Sequence, residues 1–566
     1  MTLQDIHGLY ARGQLQKAED ALARYALREG NTGPSLQLGA LVAMARRDLP
    51  LAYQRIRASL QDRANSHEKL NTQGNILRAL NAAIDAEMSY RQALQLAPDY
   101  VPARANLAAH LQKTGQPDLA EAEFRKLTEM QPEVATHWKG LAQSLTDLNR
   151  PEEALAVLEG SPLDGETTAF LRGRAQFALG RFEDAMASNR EAFGHGELGS
   201  EAFKLSLQIL AMTGAWEAMA SPLIEDVLSH HPASDAHWSV ALNALWRAGR
   251  EAEANQLFGR APRGPATLAA RAEAHVNRGQ FADGEALALQ ALEAAPGFPP
   301  ALYQLAFASL GLAGEDPSKA GQAQAVSDLA LQSNPHNQFF WGIKALGGRL
   351  RGQEYRYYFD YEGFVKPYDI PAPEGWESVE AFNRDLAAEL DALHGFTDAP
   401  LDQTLRLGTQ TSPNLRFVQT PAIQAFFGAV EPAIQSYVDG IGHDKQHAFL
   451  RQNYGSFRIR SGWSVKLRPG GGHHINHIHP EGWISSAYYV DVPDTEGVEG
   501  WIKFGEPPEE IRKATGLDYE HIVQPKPGRL VLFPSYMWHG TVPFGGSHTR
   551  MTLPIDILPA KKPKEP

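Results

Sequence analysis

The chain has 566 residues, a net charge of −13 and no cysteine. A chain of this length exceeds what one hydrophobic core serves, so we expect at least two domains. The acidic balance argues against nucleic acid as the main partner, because phosphate neutralisation needs a basic surface. The absence of cysteine excludes disulfides and thiolate metal ligands, so a bound metal must be held by nitrogen and oxygen atoms.

The sequence also predicts no membrane partner. No apolar run approaches the roughly 18 residues that a membrane span requires. The N-terminal stretch MTLQDIHGLYARGQ lacks the basic and apolar regions of a signal peptide. We therefore expect a cytoplasmic protein.

From Met1 to about Gln338, helical apolar spacing and turn-like residues recur with a period close to 34 residues. Ten turns are predicted, at Gly13, Asp48, Asn81, Gly115, Asn149, Gly180, Gly214, Gly249, Gly279 and Gly314. A small residue five positions after the turn allows two helices to approach closely, and six of these positions hold alanine: Ala18, Ala86, Ala120, Ala154, Ala185 and Ala254. Ten helical hairpins are therefore indicated.

This pattern resembles the tetratricopeptide repeat, most clearly in LQKTGQPDLAEAEFRKLTEMQP and LTDLNRPEEALAVLEG. The resemblance implies an all-α superhelix of stacked hairpins whose concave face binds peptides or proteins. We therefore predict a protein or peptide partner for the array. The alternative is that some repeats only solvate, cap or dimerise the rest of the chain.

The composition changes after Gln338, where aromatic residues, proline and glycine become frequent. Such a stretch predicts a terminal cap followed by an irregular connection. We therefore divide the chain into a repeat array at 1–345, a cap and connection at 346–375, and a second domain at 376–566.

The second domain is predicted to combine two helices with several short strands. The helices lie in ESVEAFNRDLAAELDALHGF and PAIQAFFGAVEPAIQSYVDGI. The strand segments alternate or carry β-branched and aromatic residues, and they are RIRSGWSVKLRPGG, GWISSAYYVDVP, WIKFGEPP, GRLVLFPSYMWHGTVPF and RMTLPIDIL. This spacing predicts a compact antiparallel double sheet.

Four histidines stand close together between the first and the second of these strand segments: His473, His474, His477 and His479. His477 and His479 are two positions apart, so on an extended strand both imidazoles project from one face and can bind the same ion. His473 and His474 lie in a Gly-rich turn, and we expect them to be solvated or to support the ligands.

A third imidazole and a guanidinium follow. His539 comes after an apolar strand and a Pro/Gly turn that reverses the chain, so it can complete a triad of nitrogen ligands. Arg550 opens the next strand eleven residues later, where its fixed charge can bind a carboxylate in bidentate fashion beside the ion.

Asn476 is interpreted as a turn residue. Four aromatic residues are expected to pack the sheet interior: Trp483, Tyr488, Tyr489 and Trp538.

These residues resemble the iron- and 2-oxoglutarate-dependent oxygenases of the bacterial and phage branch, with the pattern H-x-H-P…S-x-x-Y-Y-V…G-x-L-x-L-F-P…H-x-x-x-P…R. The matching segments are HIHPEGWISSAYYV, GRLVLFPSYMWHGTVPF and HTRMTLPIDIL. The resemblance implies a double-stranded β-helix (jelly roll), with Fe(II), O2 and 2-oxoglutarate as cofactors and co-substrate. It also implies that His539 is the distal metal ligand and that Arg550, assisted by Thr552, binds the distal carboxylate of 2-oxoglutarate.

One feature departs from the commonest metal triad, which is His-x-Asp or His-x-Glu with a distant histidine. Here His479 occupies the position of the carboxylate if His477 is the first ligand. A second register exists, because His479-Pro480-Glu481 is itself a His-x-Glu. We favour His477, His479 and His539 as metal ligands, and this set is neutral apart from the metal.

The combined interpretation is a dioxygenase that hydroxylates an amino-acid side chain of a protein or peptide presented by the repeats. One alternative is a non-catalytic tetratricopeptide scaffold with a degenerate metal-binding β domain. Another is a three-histidine enzyme of the cupin type that uses no co-substrate, against which Arg550 at its spacing argues.

Overall fold

The computed structural model of the chain describes residues 1–62, 66–194 and 196–561. Two compact units emerge, one formed by residues 1–148 with 156–163 and the other by residues 149–155 with 164–566. The later helices of the array thus belong to the same compact unit as the β-rich part of the chain. The predicted division at 345 and 375 remains a prediction, and residues 562–566 of its third part lie outside the described residues.

The N-terminal three fifths of the chain are α-helices joined by short turns. Their bounds are α1 (Leu3–Ala11), α2 (Leu15–Glu29), α3 (Gly33–Ala45), α4 (Leu49–Asp62), α5 (His67–Ala79), α6 (Ala83–Leu96), α7 (Val101–Lys113), α8 (Pro117–Met130), α9 (Ala135–Asp147), α10 (Pro151–Glu159), α11 (Gly165–Ala178), α12 (Phe182–Glu191), α13 (Glu197–Met212), α14 (Trp216–His230), α15 (Asp235–Arg247), α16 (Glu251–Arg260), α17 (Pro265–Val276), α18 (Phe281–Ala294), α19 (Pro299–Leu312), α20 (Ser318–Ser333) and α21 (Gln338–Leu350). In the described part of the chain, α1 to α20 follow one another as ten pairs, which confirms the predicted helical repeats.

The turns inside the pairs adopt the left-handed backbone conformation that favours glycine and asparagine. Eight predicted turn residues have a positive φ between 57° and 74°: Gly13, Asn81, Gly115, Asn149, Gly180, Gly214, Gly249 and Gly279. In the second pair Arg47 takes this conformation, with φ 63°. The predicted turn residue, Asp48, lies instead at the start of α4, where its carboxylate accepts a hydrogen bond from the Leu51 amide at 3.2 Å.

Close helix packing explains the small residues of the repeat. All six alanines predicted five positions after a turn are completely buried: Ala18, Ala86, Ala120, Ala154, Ala185 and Ala254. A larger side chain at such a point would force the two helices of a pair apart.

The C-terminal part alternates short strands with supporting helices. The strands are β1 (Lys366–Asp369), β2 (Leu405–Arg406), β3 (Gly408–Gln410), β4 (Gly455–Gly462), β5 (Val465–Leu467), β6 (His473–His474), β7 (Ile484–Asp491), β8 (Ile502–Phe504), β9 (His521–Val523), β10 (Arg529–Pro534), β11 (His539–Thr541), β12 (Arg550–Leu553) and β13 (Ile555–Lys561). The remaining helices are α22 (Tyr361–Phe364), α23 (Val379–Asp391), α24 (Pro421–Gly440) and α25 (Glu509–Thr515), with 3-10 turns at Leu415–Phe417 and Leu450–Gln452.

All strand pairs are antiparallel. An eight-stranded sheet runs in the order β1-β10-β7-β12-β5-β3, and β13 pairs with both β4 and β7. A three-stranded sheet has the order β11-β8-β9, and β2 pairs with β6. The predicted fold class is therefore confirmed: helical repeats are followed by a domain of antiparallel strands with supporting helices.

The supporting helices pack against the large sheet. The Tyr488 hydroxyl on β7 donates a hydrogen bond to the Asn383 side chain on α23 at 2.8 Å, and its ring lies 4.9 Å from that of Phe426 on α24. The four aromatic residues expected inside the sheet are all buried: Trp483, Tyr488, Tyr489 and Trp538. Among the described residues, no helix has the length and apolarity needed to cross a membrane.

Helix α25 of the C-terminal part packs directly on the tenth helical pair. Gly314, the last predicted turn residue, has no positive φ. A Cβ atom placed on Gly314 would instead overlap the carbonyl oxygen of Ala514 on α25. Glycine is needed at this point for close approach rather than for its backbone conformation.

We expect Gly314→Ala to destabilise the second unit by about 1–3 kcal/mol, because the new methyl group overlaps main chain that cannot rotate away. The measurement is chemical unfolding followed by tryptophan fluorescence. Gly428→Ala is the matched control: Gly428 lies within α24 with no atom near its Cβ position, so alanine should stabilise that helix by up to about 1 kcal/mol. Equal unfolding midpoints for the two variants would contradict the close contact.

Candidate metal centre

Three histidines converge at one point between the sheets. His477 and His539 face each other as an isolated antiparallel pair, with N–H to O distances of 2.9 and 3.0 Å in the two directions. The backbone N–H of His479 donates to the Ser535 carbonyl at 3.0 Å. One potential ligand atom from each ring lies within 4.8 Å of the others, so the three can hold a single metal ion.

The chain around His477 and His479 differs from the predicted regular strand. Strand β6 ends at His474, and His477 forms only a single bridge with His539. A turn at residues 480–481 begins with Pro480, which has no N–H to continue a ladder. The two imidazoles are nevertheless brought together, because backbone hydrogen bonds to the 535–539 segment hold both residues.

Each histidine of the triad is oriented by a hydrogen bond at Nδ1. The acceptors are the Ile475 carbonyl at 2.8 Å for His477, the Asp556 carboxylate at 2.7 Å for His479 and the Met537 carbonyl at 2.9 Å for His539. Carbonyl and carboxylate oxygens only accept, so Nδ1 carries the proton in all three rings. Each Nε2 is then free to bind a metal.

The Nε2 atoms of His477 and His479 lie 3.3 Å apart. At this distance a proton on His479 Nε2 is donated to His477 Nε2, and a metal ion bound by both nitrogens would take the place of that proton. Nitrogen ligands about 2.1 Å from one divalent ion and at right angles to each other are about 3 Å apart. The donor set therefore fits a divalent metal ion.

The protonation of the triad follows from its surroundings. Burial lowers the pKa of His477 to about 3, and the nearby charge of His479 contributes. Burial also holds the pKa of His539 well below its usual value, with further contributions from His477 and His479. For His479, burial would lower the pKa, but the charge and the hydrogen bond of Asp556 outweigh it and raise the pKa.

Asp556 is a site residue that the sequence analysis missed. It lies on β13, and burial would raise its pKa, but the charge and the hydrogen bond of His479 lower it. A second hydrogen bond comes from the Ser485 hydroxyl at 3.3 Å. Its signal in the sequence is the period-two series Arg550, Thr552, Pro554 and Asp556, all of which line the same cavity.

Arg550 is a buried cation without a counter-charge. Only 3% of its surface is exposed, and it forms no ion pair with the described residues. Its Nε atom is buried without a hydrogen-bond partner, and its guanidinium carbon lies 5.1 Å from the centre of the Tyr489 ring. Burial lowers the pKa of Arg550, and only Tyr489 opposes this shift. An anionic group that binds beside Arg550 would compensate its buried charge and accept hydrogen bonds from its guanidinium.

A cavity of about 780 Å³ contains both the triad and the guanidinium. Thr552 is buried two residues after Arg550 and lines the same cavity. Tyr303, on helix α19 of the repeats, also lines it. The cavity volume lies in the range of small-molecule sites, so a metal, a dicarboxylate and part of a substrate can be accommodated together.

The other predicted residues take supporting or peripheral positions. Glu481 lines the cavity, but it is largely exposed, pairs with Arg460 at 2.9 Å and is not one of the three clustered ligands. His474 lines the cavity with its Nδ1 3.0 Å from the Thr404 hydroxyl, whereas His473 is bonded to the Gly471 carbonyl at 2.7 Å. Asn476 lies at a bend, as expected, and its amide donates to the Pro507 carbonyl at 2.8 Å.

Solved structures similar to the chain are helical-repeat proteins. One is PilF of Pseudomonas aeruginosa, with 18% identity, a TM-score of 0.32, and coverage of 36% of this chain and 95% of that chain. A tetratricopeptide repeat protein of Parabacteroides merdae has 11% identity, a TM-score of 0.32, and coverage of 49% and 98%. YrrB, described as a TPR protein with an unusual peptide-binding site, has 15% identity, a TM-score of 0.29, and coverage of 31% and 92%.

No curated protein matches the chain. Two family models do match parts of it. Residues 77–145 match the model described as "Tetratricopeptide repeat", and residues 461–556 match the model described as "Putative 2OG-Fe(II) oxygenase". The second match contains His477, His479, His539 and Arg550. The chain thus combines a tetratricopeptide-repeat region with a domain of the 2OG-Fe(II) oxygenase family.

Proposed function

We propose that the C-terminal domain is an Fe(II)- and 2-oxoglutarate-dependent dioxygenase that hydroxylates an amino-acid side chain of a protein or peptide presented by the repeats. The observation that carries this proposal is the combination of three converging Nε2 atoms and an unpaired buried guanidinium in one cavity. A cytoplasmic location and a polypeptide partner for the repeats are part of the same proposal.

In this proposal His477, His479 and His539 hold Fe(II), and Arg550 binds the distal carboxylate of 2-oxoglutarate with the help of Thr552. When bound, the metal and the 2-oxo acid supply oxygen activation, in which 2-oxoglutarate is oxidised to succinate and carbon dioxide while one oxygen atom enters a C–H bond of the substrate. The protein itself positions the reactants and keeps the cavity dry.

Aromatic side chains around the triad serve the last of these tasks. The rings of Phe533 and His539 have centroids 4.6 Å apart, and Trp463 stacks near His479 at 6.0 Å. These contacts limit rotation of the imidazoles and exclude water from around them. Tyr303 of the repeats lines the same cavity and would contact a polypeptide substrate that enters it.

Two observations disfavour the alternatives. In a scaffold with a degenerate β domain, an unpaired buried arginine would cost free energy, and no bound anion would offset that cost. A three-histidine enzyme without a co-substrate has no use for it either. Arg550 lines the same cavity as the triad, and this favours a reaction with an anionic co-substrate.

The first prediction concerns turnover. With Fe(II), O2 and 2-oxoglutarate, the purified protein should release succinate, measured by chromatography, and His539→Ala should abolish this release because only two imidazoles remain. His230→Ala is the control, since His230 is an exposed histidine on α14. Absence of succinate from the iron-loaded parent protein, with candidate peptides present, would count against the proposed function.

The second prediction concerns Arg550→Gln. The loss of a charge-assisted, bidentate contact should weaken 2-oxoglutarate binding by about 30- to 150-fold, or about 2–3 kcal/mol. The measurement is an anaerobic titration of 2-oxoglutarate with Fe(II), followed by the visible charge-transfer band of the chelate.

The same variant should not lose stability in the absence of 2-oxoglutarate, because Arg550 forms no ion pair that the substitution could break. Thermal unfolding without ligands tests this point. A large destabilisation combined with unchanged 2-oxoglutarate binding would identify Arg550 as a structural residue instead.

The third prediction concerns Asp556, which we propose positions His479. Asp556→Asn preserves a hydrogen-bond acceptor but removes the charge behind the imidazole, and metal affinity should fall about 10- to 100-fold. Binding of Co(II), followed by its visible spectrum, measures the affinity directly. Asp491→Asn is the control, because Asp491 is half exposed at the end of β7 and its neighbour is His548 rather than a ligand. Identical Co(II) affinities in both variants would contradict the positioning role.

A further inference from the structure

A second cavity adjoins the catalytic cavity. It has a volume of about 370 Å³, and its walls are formed by α15, α17 and α19 of the repeats together with α25 and Arg406. Ile475 and Asn476 line this second cavity, whereas His474 and His477 line the catalytic one. The stretch of chain at residues 474–477 therefore borders both cavities.

Most charged side chains of the second cavity have an opposite partner. The pairs are Arg247 with Glu273 at 2.8 Å, Arg278 with Glu251 at 2.9 Å, Glu509 with Arg512 at 2.8 Å and Glu510 with Lys513 at 2.8 Å. Each of the four carboxylates in the cavity wall is therefore engaged by a cation.

Arg406 is the exception. Its Nη1 donates to the carbonyls of Gln403 at 3.1 Å and Leu405 at 3.0 Å, but the guanidinium forms no ion pair with the described residues. Partial desolvation lowers the pKa of Arg406, and the positive charge of Arg247 lowers it further. A cation that faces another cation, with carboxylate neighbours already engaged elsewhere, is a binding point for an anion.

The same cavity also offers hydrogen-bond donors without partners. The indole Nε1 of Trp246 is buried and has no acceptor. The side-chain amides of Asn243 and Asn277 line the cavity and make no hydrogen bond with the described residues. Amide groups that can both donate and accept match the main chain of an extended peptide.

We propose that this second cavity anchors an acidic side chain of the polypeptide substrate, with Arg406 binding its carboxylate. Asn243, Asn277 and Trp246 then bind the adjoining main chain. This inference rests on the proposed function, because it names the class of substrate that the same enzyme would act on: a polypeptide with an acidic residue near the hydroxylated one.

Thr404 lines the catalytic cavity and Arg406 lines the second cavity, two residues further along the chain. One bound peptide segment would therefore carry both the acidic residue and the target residue.

The test is affinity selection from a synthetic library of random dodecapeptides on the full-length protein, without iron and without O2. We expect the bound peptides to be enriched about tenfold or more in aspartate and glutamate over asparagine and glutamine, because only a carboxylate forms a charge-assisted hydrogen bond with Arg406. Arg406→Gln should abolish this enrichment, and Arg406→Glu should replace it with an enrichment in lysine and arginine. Circular dichroism verifies that the variants are folded.

Arg468→Gln provides the matched control, because Arg468 is an exposed arginine that pairs with Asp398 at 3.3 Å and lines neither cavity. It should select the same peptides as the parent protein. Identical selections by the parent protein and Arg406→Glu, or the absence of acidic enrichment in the parent protein, would overturn the anchor. Failure of succinate release alone would overturn the oxygenase function and leave this result standing, because the selection involves no turnover.

Discussion

The convergence of three imidazole nitrogens on one point is the constraint on which the centre depends. Two backbone hydrogen bonds hold His477 opposite His539, and Nδ1 contacts leave the Nε2 atoms to face one another. The Nε2 atoms of His477 and His479 then approach to 3.3 Å. The fold maintains this arrangement through main-chain contacts, and a cation bound there would take the place of the proton between the two nitrogens.

The negative charge nearest to the three histidines lies behind one of the rings rather than among the ligand nitrogens. The three ligating rings contribute no negative charge, but Asp556 lies directly behind His479 at 2.7 Å. In the commonest triad a carboxylate is itself a metal ligand. Here the carboxylate accepts a hydrogen bond from the outer nitrogen of His479 instead, and it polarises that imidazole. Arg550 lines the same cavity and has no counter-charge among the described residues. The cavity therefore combines a group of nitrogen donors with an uncompensated guanidinium.

Sequence spacing was sufficient for the parts of this site that lie on one strand or follow a recognisable pattern. The two-residue interval of His477 and His479, and the position of Arg550 at the start of a strand, predicted which side chains the structure brings together. The contact between Asp556 and His479 spans 77 residues, and no local pattern encodes such a tertiary pairing. That Arg406 forms no ion pair could not be predicted from the sequence either. The reason is that the nearby carboxylates pair with other arginines in the folded chain, Glu273 with Arg247 and Glu251 with Arg278.

The contribution of Tyr303 to the cavity of the three histidines has a consequence for how this architecture can be divided or recombined. Helices α19 and α21 also pack on Trp538, the residue before His539, through Phe307 and Gly342. A C-terminal domain excised near residue 376 would lose one wall of this cavity and expose the Trp538 indole. A recombined protein must therefore keep the last repeats together with the C-terminal domain, whereas residues 1–148 with 156–163 form a compact unit of their own.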